Sequence, residues 1–352
     1  MVLVEPPLSL AVIAERVGAR IDGLLAAEEQ RWAAVDPDLS EPLGALRSFV
    51  RGGKRLRPAF CHWGWVGAGG EPGDAVVTDA GAALELLHSS ALIHDDVMDG
   101  SSRRHGQPSV HVRFSDEHRA RAWRGEPRRF GEGVATLVGD LASVYADALL
   151  RDAPAAARGV VADLRVELDV GQYLDLAAAA SRSTSAERAR RICVYKSGKY
   201  TVERPLHLGA ALAGRLDELA GAYSAYALPL GEAFQLRDDL LGAFGDTTRL
   251  GKEVGDDFRE GKATALYAAA HARAGAADRA VLDRWYGCPD LGADEVAEVQ
   301  AVLTATGARA EVEAAVGALT EEALAALAAA PIGEDARGEL AALARFVSGR
   351  ES

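Results

Sequence analysis

An all-α fold is what this sequence predicts, and three observations predict it. Apolar residues recur at helical spacing over long stretches, as Leu10, Ile13, Val17, Ile21 and Leu24/Leu25 do near the N-terminus. Strong helix formers (Ala, Leu, Glu and Arg) are abundant, and Ala dominates stretches such as 323–330. No segment alternates apolar and polar residues over the length of a strand, no repeat recurs at a fixed period, and no low-complexity linker separates two halves. A single all-α domain over residues 1–352, built as a helical bundle, is the simplest expectation.

Taken in order, residues 8–35 make an amphipathic helix with the apolar positions above on one face. Pro37 and Pro42 bracket a turn, and a short helix from Leu43 to Val50 ends at Gly52-Gly53. Pro58 can start the next helix, where a missing N–H costs nothing. Gly67 to Gly73 is a loop, and Thr78 is placed to cap a long helix reaching Asp99. Residues 100–133 carry Gly, Ser, Pro and eight Arg, from Arg103 to Arg129, and read as a long polar loop with room for a short helix. Helices resume at 134–150, 156–180, 186–214 and 217–243, with a kink or break expected at Pro205 and Pro229. Gly245 to Lys262 is a second polar loop, and 263–352 reads as Ala-rich helices interrupted at Pro289 and Pro331.

Composition excludes several classes of function. A net charge of −13 argues against a general nucleic-acid binder, which needs a basic face to meet phosphates. Cys61, Cys193 and Cys288 are far apart and form no CxxC, so neither a disulfide framework nor a zinc site is expected, and a reducing cytosol fits. The first residues include Glu5 and Glu15 without a basic start or a long apolar core, unlike a signal peptide. No uncharged run reaches the roughly 18–20 residues that span a bilayer, so no membrane insertion is expected.

The most informative stretch is Leu92-Ile93-His94-Asp95-Asp96-Val97-Met98-Asp99. On a helix Asp95 and Asp99 lie one turn apart and point the same way, and their repulsion weakens a bare helix. A hard divalent cation reverses the sign of that energy. Mg²⁺ takes oxygen ligands and is held by one or two carboxylates together with substrate phosphates. A solvated acidic helix end is the bland alternative, against which stands the apolar approach from Leu84 to Ile93. A second acidic run, Gln235-Leu236-Arg237-Asp238-Asp239-Leu240-Leu241-Gly242, also follows an apolar stretch, with Asp246 beyond it. Two such walls facing each other in a bundle can hold metal ions between them; without a cation they repel.

Opposite charge lies in Gly52-Gly53-Lys54-Arg55-Leu56-Arg57-Pro58, where glycines expose backbone N–H groups and three cations face an anion, unless the turn is merely a solvated basic loop. The spacing is not that of a P-loop. Arg103-Arg104 follow the first acidic run, and Lys196, Lys199, Lys252 and Lys262 add cations near helix ends and loops. Acidic pairs with scattered Lys and Arg suit a site for Mg²⁺ and two diphosphates. Ser89, Ser90 and Ser197 lack a convincing base and orienter, so no nucleophile is assigned. His88 and His94 are six residues apart, not a metal-ligand spacing, and His94 reads as a satisfied core histidine.

In this order, GGKRLRP, HDDVMD, Gly139-Asp140, the Lys196-Ser197 region and QLRDD with the later GK pairs resemble the trans-isoprenyl diphosphate synthases, the polyprenyl synthetase family. The resemblance covers roughly residues 40–265, and KSGKYTVERPLHLG and DDLLGAFGD are most similar to bacterial geranylgeranyl diphosphate synthases. It implies a helical bundle around a deep central cavity, usually a homodimer, that condenses isopentenyl diphosphate head-to-tail with an allylic diphosphate and uses two or three Mg²⁺ ions. By position it implies that Lys54, Arg57 and His88 hold isopentenyl diphosphate, that Asp95, Asp99, Asp238 and the adjacent Asp239 serve the metals, and that Arg104, Lys196, Ser197, Gln235, Lys252 and Lys262 face the allylic substrate.

The chain departs from the family pattern twice. His105 replaces a usual arginine, for which Arg103 is a candidate substitute, and the second acidic motif ends in Gly242 rather than Asp; activity is expected to survive. The mechanism this resemblance implies is Mg²⁺-assisted departure of the allylic diphosphate with help from Lys196 and Lys252, attack by the isopentenyl double bond, and proton loss to the departing diphosphate. Ala91 and Ser90 are small where bulky aromatics stop growth at short products in this family, so C20 is favoured over C15, with longer products open and Leu87 and Leu84 as the candidate floor. A class I terpene cyclase and a non-catalytic partner subunit are the rival expectations. The first has no use for the GGKRLRP pocket, and the second rests on His105 and Gly242 alone.

Overall fold

Helix α4, Ala75–Asp99, runs through the middle of the molecule and carries the first acidic run at its C-terminal end. Asp74, not Thr78, caps it: the Asp74 carboxylate accepts from the Val76 N–H, and the Thr78 hydroxyl instead bonds back to the Asp74 carbonyl. Gly100 ends it in the left-handed conformation at φ 69°. Ala80, Ala82, Ala83, Leu84 and Leu86 are fully buried around its circumference. By length and composition α4 could cross a membrane, which the sequence did not lead us to expect, yet 67% of its apolar window is inside the protein, as in a core helix.

The computed structural model describes residues 5–104, 106–245 and 254–350; His105, Asp246 and Lys252 lie outside them. Before α4 come α1 (Leu8–Ala33), a 3₁₀ turn (Pro37–Leu39), α2 (Ser40–Phe49) and α3 (Leu56–Gly67). The buried residues of α1 are Leu10, Ile13, Val17, Ile21 and Leu25, the face its periodicity predicts. Residues 100–133, expected as a loop, are more ordered than that. Arg103–Arg104 pairs antiparallel with Gln107–Pro108 in a two-residue ribbon, α5 spans Val110–Ala120, and α6 already begins at Pro127 and runs to Leu149. Val110, Phe114 and His118 are buried where α5 packs on α6, so tertiary burial makes a helix of a polar sequence.

Next follow α7 (Ala155–Ala180), α8 (Ala186–Ile192), a π-helical segment (Cys193–Glu203), α9 (Arg204–Leu212) and α10 (Leu216–Phe244). The irregularity expected at Pro205 is real: the π-helix stops just before it, and Pro205 sits in the first turn of α9 where its missing N–H is not needed. Pro229, by contrast, lies inside the continuous α10, so no break occurs there. The π-helix meets α10 where Gly198 and Gly231 face each other; a Cβ on Gly231 would stand 2.4 Å from the Gly198 Cα, so only glycine permits this approach.

Beyond the acidic run of α10 lie α11 (Asp256–Glu260), α12 (Ala265–Arg273), α13 (Ala276–Trp285), α14 (Ala293–Ala305), α15 (Ala308–Ala328) and α16 (Glu334–Gly349). Their apolar residues form a second cluster with the end of α10, around Leu236, Leu240, Phe258 and Leu303. The terminal helix is anchored from below: the fully buried Tyr226 hydroxyl donates to the Leu340 carbonyl at 2.7 Å. That anchoring delivers Arg350 to the edge of the central cavity.

Candidate active site

Asp95 on α4 and Asp238 on α10 border one cavity of about 490 Å³. Two acidic helix segments distant in sequence therefore face the same space, as their apolar approaches suggested. Lys54, Arg57, His88, Arg104, Lys196, Ser197, Gln235, Asp239 and Lys262 border it too. Asp99 sits one turn beyond Asp95 and joins the site through Lys262, whose Nζ lies 3.3 Å from the Asp99 carboxylate. Arg103 is not brought in; its guanidinium donates to the Gly106 carbonyl at 2.5 Å within the ribbon turn.

Cations surround the first acidic wall. Lys196, on the π-helix, lies 3.2 Å from Asp95 and donates to Asp175 of α7 at 2.7 Å, while Gln172 donates to Asp95 at 2.8 Å. Burial alone would raise the Asp95 carboxyl, but Lys196, Lys262 and Arg104 overcome it and hold that group well below the usual carboxylate range. Asp99 behaves oppositely. Burial leads, the charges of Asp95 and Glu260 add to it, and Lys262 only partly offsets them, so its pKa is pushed up to about 6. Arg104 donates through Nε to the buried Asp96 at 2.8 Å and stands 3.6 Å from Asp95. Asp96 thus holds Arg104 in place, while Asp95 and Asp99 point elsewhere.

On the second wall Asp238 is open to the cavity and is met by the Arg350 guanidinium at 2.7 Å. Asp239 points away from solvent and accepts from Gln235 at 2.7 Å, and Gln235 in turn accepts from the Ser197 hydroxyl. Burial first, then the nearby Asp257, keeps the Asp239 carboxyl well above its ordinary range. Gly242, the departure from the family motif, has a physical counterpart here. A Cβ on residue 242 would stand 2.6 Å from the Asp257 Oδ2, so the space an aspartate side chain would enter is taken by a carboxylate from α11.

Basic residues line the same cavity. Arg57 donates to the Thr201 hydroxyl at 2.9 Å and lies 4.2 Å over the Tyr200 ring, which is tilted against His88 with ring centres 6.0 Å apart. Lys54 is lowered to about 8, first by desolvation at the cavity mouth and then by Arg350, with Asp238 pulling the other way. The third cation of the motif, Arg55, also borders the cavity but is buried and paired with Glu85 at 2.5 Å, so its charge is already matched within the protein. His94 is half-buried, as expected of a satisfied histidine, with its Nε2 3.2 Å from the Thr136 carbonyl and 3.5 Å from Asp140. Leu84 and Leu87 are packed in the core and do not border the cavity; Ala91, Leu92, Leu168 and Ile192 do.

Sequence reading missed Gln172, Asp175, Asp257 and Arg350. The first two carried a faint signal, a polar pair at i, i+3 in a helix otherwise rich in Ala, Leu and Val. Asp257 and Arg350 carried none, because each arrives singly from a distant segment. As a metal site the walls offer hard carboxylate oxygens from Asp95, Asp99 and Asp238, the donor set that suits Mg²⁺. Among the described residues no three such groups converge into a cage. Such an arrangement fits an ion that completes its shell with water and substrate phosphate.

The polyprenyl synthetase family model matches residues 40–305. The chain belongs to the polyprenyl synthetase family. Its fold is that of geranylgeranyl pyrophosphate synthase from Corynebacterium glutamicum, crystallised with isoprenyl diphosphate and magnesium: 38% identity, a TM-score of 0.92, and coverage of 97% of this chain and 99% of that one. A polyprenyl synthase from Caulobacter crescentus, complexed with calcium and isoprenyl diphosphate, is 29% identical over 97% of each chain, with a TM-score of 0.81. Among curated family members, the short chain isoprenyl diphosphate synthase of Methanothermobacter thermautotrophicus is 34% identical over 65% of this chain and 66% of its own length. The nonaprenyl diphosphate synthase of Mycobacterium tuberculosis is 32% identical over 69% and 66%. The chain thus spans about two thirds of the length of these curated relatives.

Proposed function

We propose that this polyprenyl synthetase is a magnesium-dependent prenyl chain-elongation enzyme that condenses isopentenyl diphosphate with allylic diphosphates to give a C20 product. The observation that carries this reading is the convergence of Asp95 and Asp238 on one cavity that Lys54, Arg57 and His88 also line. The carboxylates suit a metal-bound diphosphate and the basic residues a diphosphate held by direct cations. When bound by Asp95, Asp99 and Asp238, Mg²⁺ supplies Lewis-acid stabilisation to the leaving diphosphate. Lys196 and Lys262 lie beside those carboxylates, ready to turn to the charge that develops on departure. Gln235 and Ser197 fix each other in the cavity wall. Leu92, Leu168 and Ile192 make part of that wall apolar, which keeps water from a reactive allylic group.

Small Ala91 in the cavity wall supports a product longer than C15. Relatives that make C20 and C45 chains are equally distant, so identity does not separate product lengths. Incubation of the purified protein with Mg²⁺, isopentenyl diphosphate and farnesyl diphosphate tests the reading: a C20 diphosphate is expected, hydrocarbon from the allylic diphosphate alone indicates a cyclase, and no product indicates a partner subunit.

The same reading includes a homodimer. Leu137 and Val144 on α6 and Val166, Val170 and Tyr173 on α7 recur at helical spacing and remain largely exposed, Tyr173 at 71%. An apolar face of that kind on two neighbouring helices suits a second copy of the chain. A cytosolic site of action also belongs to the proposal: Cys61 and Cys193 are buried free thiols, as a reducing compartment maintains them.

A further inference from the structure

We infer that Arg55 and Glu85 together form a positioning brace that presets the Lys54–Arg57 turn for the isopentenyl diphosphate, although neither is needed to touch it. The inference rests on the function proposed above and concerns how that substrate's pocket is held. Arg55 has a left-handed backbone, φ 51° and ψ 38°, unusual for a residue with a Cβ. Gly52 and Gly53 before it are also at positive φ, 88° and 79°. The glycines take this conformation without strain, so the cost sits at Arg55, which needs an outside restraint.

The Arg55 side chain supplies that restraint. It is 8% exposed, and its two terminal nitrogens are engaged in different directions. Nη1 donates to Glu85 on α4 at 2.5 Å, and Nη2 donates to the Val50 carbonyl at the end of α2. One guanidinium therefore ties the two ends of the turn together and pins both to the central helix. Glu85 is itself 5% exposed, so each charge is neutralised by the other rather than by solvent. Ser89, one turn further along α4, donates to the Glu85 carbonyl and borders the same cavity. Lys54, Leu56 and Arg57, on either side of Arg55, border the cavity along with the brace itself. A planar fork is required for this geometry, since a lysine ammonium is a compact charge on a flexible stem and does not span two fixed acceptors equally well.

The test compares Arg55→Lys and Glu85→Gln with the natural protein, by calorimetric binding of each substrate and by steady-state kinetics. Both variants should weaken isopentenyl diphosphate binding about tenfold, with farnesyl diphosphate binding changed less than about twofold and kcat at saturation nearly kept. Equal weakening of both substrates would show a general structural role and overturn the inference, as would unchanged binding of both. The natural protein gives a check that does not depend on how the variants fold: without substrate, trypsin should cut after Arg51 and Lys54 as slowly as it does with isopentenyl diphosphate bound, and cleavage there that the substrate suppresses overturns a preset turn. If the natural protein neither binds nor extends isopentenyl diphosphate, it is the proposed function that falls.

Discussion

The Asp257 carboxylate occupies the place where a side chain on residue 242 would begin, 2.6 Å from the Cβ position of Gly242. The two residues belong to different helices, α10 and α11, and their contact explains how the second acidic wall tolerates a missing motif aspartate. Gly242→Ala moves that carboxylate aside, and because the carboxylate is the free end of a side chain the loss of stability should be no more than about 1 kcal/mol, at the low end of overpacking costs. Gly242→Asp adds like charge and should cost more. Thermal unfolding of the cycle Gly242→Asp, Asp257→Gly and the double variant checks this. The double variant should recover much of the loss, and strictly additive losses would show that the contact is not the cause.

Asp99 leads to a pH-dependent prediction. Its folded pKa is pushed up to about 6, above the ordinary value of 3.8, so the folded metal-free protein holds an extra proton between those two pH values. Its favourable contribution to stability is therefore full below pH 3.8 and disappears as pH rises through about 6. Asp99→Asn mimics the protonated group. It should raise the unfolding temperature of the metal-free protein at pH 8 and leave it nearly unchanged at pH 4, while Mg²⁺ gives less stabilisation to the variant than to the natural protein at pH 8. A lower unfolding temperature at pH 8 would contradict the sign.

Much of this molecule is legible in its sequence where the information is local. The buried face of α1 follows from its apolar period, and the acidic ends of α4 and α10 from short strings of aspartate behind apolar runs. What was not legible depends on distant partners. Residues 110–120 carry Arg, Asp, Glu and His and become helix α5 because Phe114 and His118 are buried on α6. Arg55 reads as a third ligand-facing cation until Glu85, on another helix, is seen to take it. Asp257 and Arg350 enter the site singly, from α11 and from just after α16, without any motif around them.

Ala91 offers a direct test of product length. It borders the cavity one helical turn before Asp95, and its methyl group leaves room that a phenylalanine ring would fill. Ala91→Phe should shift the main product to C15 or shorter, read by chromatography of the dephosphorylated alcohols. An unchanged distribution would place the limiting wall elsewhere, on the side of Leu168 and Ile192.

The exposed face of α6 and α7 predicts what a charge there should do. Val166 and Leu137 are 63% and 62% exposed in the isolated chain, so Val166→Glu and Leu137→Glu should fold normally as single chains. Together they should convert a dimer to a monomer by sedimentation velocity. A natural protein that sediments as a monomer, or a double variant that stays dimeric, would remove this face as the interface.

Arg350 competes with any cation for Asp238. Their pair is 2.7 Å long, but 57% of the Asp238 side chain is exposed, so water screens much of the attraction. Exposed pairs contribute at most about 1 kcal/mol, which bounds the gain in metal-site affinity on removing the arginine at about fivefold. Arg350→Ala should therefore lower the Mg²⁺ concentration needed to bind inorganic pyrophosphate about two- to fivefold in calorimetric titration. The opposite change, a higher Mg²⁺ requirement, would mean that Arg350 turns to the diphosphate once the metal has taken Asp238. The natural protein would then show it as slower trypsin cleavage after Arg350 when Mg²⁺ and pyrophosphate are both present.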